Sequence, residues 1–154
     1  MRVLFCVEDS PGAWHALRAG ARLLPAGSHE VMVLTVLPEA DERFRHYERL
    51  HEDALREIER LFGDQGTGFE VVARAQAMLS DRGVHAQRKV RHGEPADEIL
   101  AEIREGGYGL VVIGGHGELG LPADTLGDIA ARIVETSPAP VLLIKGVEEV
   151  GDPT

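Results

Sequence analysis

Residues 109–133 read GLVVIGGHGELGLPADTLGDIAARI, and the fold class turns on this stretch. Gly109 to Ile113 is a short apolar run without polar alternation, the pattern of a strand buried on both faces. Gly114, Gly115 and Gly117 end it, and a helix is expected from about Asp124 to Glu135. Glycines let a backbone approach a phosphate closely, and the stretch Asp128-Ile129-Ala130-Ala131 offers unpaired helical amides nearby. Glycine clusters after strands also serve as plain turns, so these residues by themselves support both an anion site and a turn.

The same alternation extends outward in both directions. Pro140 to Ile144 is a closing strand, Pro95 to Arg104 a helix, and Val84 to Val90 a strand. Phe69 to Arg82 is helical, with Gly83 as its C-terminal stop. Gly63 to Gly68 is a flexible break, and before it Phe44, Tyr47, Leu50, Ala54, Ile58 and Leu61 make one stripe on a charged helix over Asp41–Phe62. Glu30 to Leu37 and Met1 to Val7 are strands. Between them Trp14, Leu17, Ala21 and Leu24 mark an amphipathic helix, with Ser10 as its cap and Pro11 in its first turn. Five such strands separated by helices specify a single α/β domain, a five-stranded parallel sheet with helices on both faces. A ligand then belongs beyond the carboxyl ends of the strands, where strand order reverses.

The chain has 154 residues, the size of one domain. Residues 1–146 are expected to form it, with 147–154 as an acidic, flexible tail. Sixteen Lys and Arg against 26 Asp and Glu give a net charge of −10, which disfavours nucleic acid and anionic membranes as partners. The longest apolar runs are too short to cross a bilayer, no signal peptide is recognisable at the start, and a single cysteine forms no internal disulfide. A cytoplasmic location is expected.

Gly114, Gly117 and Gly127 reproduce the spacing G-x2-G-x9-G, and around them the chain resembles the universal stress protein family. VLFCVEDSPGAWHAL is similar to that family's opening, VMVLTVLP to its second strand, VRHGEPADEIL to its third strand and following turn, and SPAPVLLIK to its closing strand. The resemblance covers most of the chain outside Asp41–Gly68 and the tail. It implies strand order 3-2-1-4-5, a homodimer and, in the nucleotide-binding branch, ATP held between the loops after strands one, two and four. Carried onto this chain, the implied nucleotide-binding residues are Glu8, Asp9, Ser10, Val36, Gly93, Gly114, His116, Gly117, Gly127 and Asp128.

Departures from the pattern bear on the ligand. Asp-Gly-Ser after strand one is here Glu8-Asp9-Ser10, which keeps a carboxylate and loses the glycine. The Val36 backbone, which by resemblance meets adenine, donates and accepts whatever its side chain, and Gly93 with Glu94 and Pro95 fits the pattern near the ribose. On the phosphate side Asp128 replaces the usual hydroxyl, and Glu118 and Asp124 add charge with no Lys or Arg between Gly114 and Asp128. A carboxylate about 4 Å from a phosphate oxygen is repelled by roughly 4 kcal/mol at an effective dielectric of 20, against about 1 kcal/mol for a lost neutral hydrogen bond. Repulsion dominates unless Mg²⁺ intervenes, which favours AMP, or ATP only with Mg²⁺. Asp128 has a second reading as the helix N-cap. A nucleotide-binding regulatory protein and a nucleotide-independent scaffold that has lost ATP binding are the two functional expectations.

Other residues carry weaker signals. Cys6, inside the first strand, reads as a buried, inert thiol, and Trp14 as helix packing. The histidines show no metal-ligand spacing, and His116 with Glu118, Asp124 and Asp128 is a remote candidate for a divalent cation. GxSxG and P-loop signatures are missing, and Asp9 with Ser10 has no evident His partner, so no catalytic residue is assigned. Val141-Leu142-Leu143-Ile144 is an apolar edge strand near the terminus that needs a cover, and pairing with a two-fold mate supplies one.

Overall fold

The first strand shows how the chain is built. Val3, Leu4 and Phe5 are all at most 1% exposed, so successive side chains enter opposite faces of the sheet and both faces are covered. Burial of each such side chain contributes about 1.5–3 kcal/mol. The computed structural model describes residues 1–24, 28–37, 68–115 and 127–146. The expected helix over 41–62, most of the glycine break after it, motif residues 116–126 and the tail 147–154 lie outside them.

In chain order the described elements are β1 (Arg2–Cys6), α1 (Pro11–Leu23), β2 (Glu30–Leu37), α2 (Gly68–Ser80), β3 (Ala86–His92), α3 (Pro95–Gly106), β4 (Leu110–Gly114), α4 (Asp128–Thr136) and β5 (Val141–Ile144). The five strands form one sheet in the order β3-β2-β1-β4-β5, all pairs parallel. This is the single-domain α/β architecture expected from the alternation of elements, in the strand order that the resemblance implies. Helices α1 and α2 cover one face, packing Trp14, Leu17, Val72 and Leu79 on Val3, Phe5 and Val33. Helices α3 and α4 cover the other, packing Ile99, Leu100, Ile103 and Ile133 on Leu4, Leu34 and Val111. Among the described residues no helix is long and apolar enough to cross a membrane.

Several boundaries shift from expectation, and three of the shifts have a clear physical cause. β3 starts at Ala86 rather than Val84, because Val84 is used to close α2. Its amide donates to Leu79 O, and that of Gly83, at φ +78, donates to Ser80 O. This pair of bonds is the left-handed C-terminal closure that favours glycine. Gly68, expected in the break, opens α2, where a side chain would come within 2.8 Å of Val90 Cγ1. Helix α4 starts at Asp128, not Asp124, since Gly127 has an extended ψ of 153°.

Candidate functional site

Strand order reverses between β1 and β4, which pair directly while their outgoing chains run to opposite sides. The crevice beyond their carboxyl ends is the place such a sheet offers to a ligand. Its first wall is the turn after β1. The Val7 amide donates to Leu34 O at 2.9 Å, the last bond between β1 and β2. Ser10, only 4% exposed, caps α1 as expected, its Oγ accepting from the Ala13 amide at 3.2 Å. The same hydroxyl donates to Glu8 Oε1 at 3.2 Å, and the Ser10 amide donates to Glu8 O. The turn is thus fixed by its own short polar side chains.

Asp9 stands where the pattern it resembles has a glycine, yet among the described residues no residue other than glycine has a positive φ. The backbone therefore accepts a side chain here without strain. Its carboxylate receives the Trp14 indole hydrogen, Nε1 to Oδ1 at 3.1 Å. Arg74 of α2 stacks on the Trp14 ring, 4.4 Å from the centroid, and its Nη1 lies 3.9 Å from Asp9 Oδ1. Trp14 itself is buried in the core, as expected.

The second wall is β2, which continues past the end of β1. Leu34 O faces β1, and period-two alternation points the peptide groups of Val36 to the same edge, two residues beyond Leu34, the last residue paired with β1. The opposite edge of β2 is occupied by β3, with Val36 beside Arg91 and Leu37 beside His92. Gly93 follows at φ +144, its amide donating to Leu37 O at 2.9 Å. Glu94 then caps α3, accepting from the Asp97 amide at 2.8 Å.

The third wall is the exit of β4 and the start of α4. A Cβ on Gly114 would lie 3.1 Å from Gly12 O and 3.4 Å from the Ala16 Cβ, so the motif glycine lets β4 abut the first turn of α1. The Gly115 amide donates to Ile144 O, and the Gly127 amide donates to Gly115 O, both at 2.9 Å. Gly115 and Gly127, on either side of residues 116–126, are thereby held together beside the carboxyl end of β4. His116 and Gly117 lie outside the described residues. Gly127 is the N-cap of α4 and supplies no side-chain hydrogen bond, so Asp128 is not the cap but the exposed first helical residue. The amides of the first turn precede the first intrahelical bond, Ala131 to Gly127 O, and point out of the helix toward the crevice end of the sheet. Arg132, one turn further along α4, is bound at Nη1 by Glu94 Oε2 at 3.0 Å and at Nη2 by Asp97. This tie between the beginnings of α3 and α4 has no local sequence signal.

Away from the crevice, Cys6 is 8% exposed, and burial, with a smaller contribution from the Glu102 charge, pushes its thiol up to about 12. Such a thiol is inert at neutral pH. Among the described residues no group of three His, Cys, Asp or Glu side chains is placed to hold a metal ion.

Comparison with known proteins agrees with this fold. The universal stress protein YxiE of Bacillus subtilis is 33% identical over 78 residues, which are 51% of this chain and 53% of that protein. The match therefore spans about half the length of each. Among solved structures, the universal stress protein UspA from Lactobacillus plantarum superposes with a TM-score of 0.71 at 17% identity, over 94% of this chain and 97% of that one. A universal stress protein family protein from Arabidopsis thaliana with AMP bound gives a TM-score of 0.64 at 17% identity, over 94% of this chain and 90% of that one. At these identities the structural likeness is one of fold. The universal stress protein family model matches residues 1–145, and with that match over nearly the whole chain the protein belongs to the universal stress protein family.

Proposed function

We propose that this chain is a non-catalytic, adenine-nucleotide-binding regulatory protein of the stress response, acting in the cytoplasm as a homodimer, with a weakened triphosphate site. The observation that carries the reading is the start of α4. Gly127 leaves its first amides without a side-chain cap, beside the reversal point of the sheet and the exit of β4. An uncapped helix N-terminus at such a place suits an anion. In this reading adenine meets the Val36 peptide, ribose lies near Gly93 and the turn Glu8-Asp9-Ser10, and phosphate approaches the backbone of Gly114, Gly127 and Asp128, with His116 and Gly117 of the intervening sequence as further contacts. The AMP bound by the Arabidopsis relative supports an adenine nucleotide as ligand.

Asp128 sets the preference among nucleotides. Its carboxylate projects from the first turn of α4, and Arg132 is engaged by Glu94 and Asp97 rather than offered to a ligand. AMP, with the smallest phosphate charge, is therefore favoured over ATP, and Mg²⁺ relieves part of the repulsion when ATP binds. Calorimetry with AMP, ADP and ATP, each with and without Mg²⁺, tests this. AMP should bind more tightly than Mg²⁺-free ATP, and Asp128→Ser should tighten ATP severalfold. Tight Mg²⁺-free ATP binding by the native chain would refute the electrostatic reading.

The engagement of Arg132 also favours a second reading, a dimeric stress-response scaffold independent of nucleotides. Failure of both the native chain and Asp128→Ser to bind any of the three nucleotides would select it.

A further inference from the structure

Trp14 and Arg74, which the proposed nucleotide contacts do not use, form a cluster with Asp9 of the turn after β1. Trp14 is 4% exposed, and a buried indole N–H needs an acceptor. The Asp9 carboxylate supplies it at 3.1 Å. Arg74 closes the cluster from a different helix, stacked on the indole at 4.4 Å and facing the same carboxylate oxygen at 3.9 Å. Three elements, the turn after β1, α1 and α2, are therefore joined at one carboxylate. A glycine at this position would have no side chain to join them. Asp9 lies between Glu8 and Ser10, which are bound to each other through Ser10 Oγ and Glu8 Oε1 at 3.2 Å.

We propose that Arg74 is a positioning residue for the nucleotide crevice: by stacking on Trp14 and facing Asp9 it holds the Glu8-Asp9-Ser10 turn in place and keeps the Asp9 carboxylate directed at Trp14 rather than at an anionic ligand. The proposal rests on the nucleotide reading for its ligand half and on the side-chain geometry for its structural half. Arg74 and Asp9 are both more than half exposed, with side-chain exposures of 57% and 53%, so each contact is weak alone. Its effect is on the placement of the turn.

The test is a double-mutant cycle on the full chain with Arg74→Ala, Asp9→Gly and both together, plus Arg74→Lys as the conservative variant. Two quantities are read for each: emission of Trp14, the single tryptophan of the chain, without ligand, and AMP affinity by calorimetry. Arg74→Ala should shift the emission and weaken AMP binding about threefold or more in the native background; in the Asp9→Gly background, where the ring stack is still lost but the turn is no longer held, it should shift the emission less and leave AMP affinity unchanged. Arg74→Lys keeps the charge but not the planar stack, and should restore part of the affinity. An equal loss in both backgrounds would mean that Arg74 only supports α2, and would overturn the proposal. Coupled emission changes with unchanged AMP affinity would overturn the positioning role while leaving the nucleotide reading intact. Absence of AMP binding by the native chain would overturn the nucleotide reading, and with it the ligand half of the proposal.

Discussion

Tyr108 donates its phenolic hydrogen to Glu102 Oε2 at 2.8 Å, completing the shell of a carboxylate that is only 3% exposed. The other oxygen receives Lys89 Nζ at 2.8 Å and Arg91 Nε at 3.0 Å. The edge strand β3 is thus fastened to α3 by charge in a place where its side chains are too polar to be held by burial. Tyr108→Phe should leave Glu102 Oε2 without its donor and destabilise the fold by about 1–3 kcal/mol. Urea unfolding would show this as a lower midpoint at unchanged slope.

The same carboxylate makes stability depend on acid. Burial pushes the Glu102 carboxyl upward, but hydrogen bonds from Lys89, Tyr108 and Arg91 outweigh it and hold the group below its usual range. A carboxylate depressed in the folded state contributes stability that is complete above its unfolded pKa, about 4.3, and is lost as pH falls through the lower folded value. The urea midpoint should therefore fall below about pH 4, and Glu102→Gln should flatten that part of the profile. An unchanged slope in the variant would contradict this account.

Gly20 tests how closely α1 lies on the sheet. An alanine Cβ there would come 2.6 Å from Val112 Cγ1 and 3.0 Å from Phe5 Cε1, both belonging to residues 1% exposed. Helix propensity favours Gly20→Ala by about 1 kcal/mol, while overpacking a close-packed core costs about 1–3 kcal/mol. The clash should win, and thermal unfolding should show a lower Tm despite the better helix former.

Among the described residues β5 is an edge strand, paired only with β4. Val141, Leu142 and Leu143 are only partly buried, so the proposed two-fold mate would cover apolar side chains and unpaired strand peptides together. Light scattering at micromolar concentration should give twice the chain mass, and Leu143→Lys should reduce it to one. A monomer mass for the native chain would refute the interface.

The elements legible in the sequence are those whose signal is local. β1 and β4 announce themselves because a strand covered on both faces has no polar alternation, and Ser10 with Pro11 marks the start of α1 through capping chemistry within four residues. Gly114 and Gly127 stand out in the sequence by their spacing, and Gly114 has a packing reason as well, its contact with Gly12. The start of α4 was misplaced because Asp124 carries the acidic signal of a first turn, whereas the extended Gly127 sets the boundary. Nothing local reveals the acceptor of the Trp14 indole, or Arg132 bridging to Glu94 and Asp97. Glu102 gave a faint hint, a charged residue three positions from Ile99 on the apolar stripe of α3, but its partners arrive from β3 and from beyond the helix end.

The burial of Cys6 gives the molecule a built-in gauge. β1 is the middle strand of the sheet, and a thiol held protonated to about 12 does not attack a disulfide reagent at neutral pH. Labelling therefore proceeds only through molecules in which the centre of the sheet has come apart. With one cysteine in the chain, a single exponential reports that event. Its rate, divided by the rate for the same thiol in denaturant, gives the opening equilibrium of the central strand under native conditions. Any ligand that grips the turn beyond β1 should slow it in proportion to its occupancy.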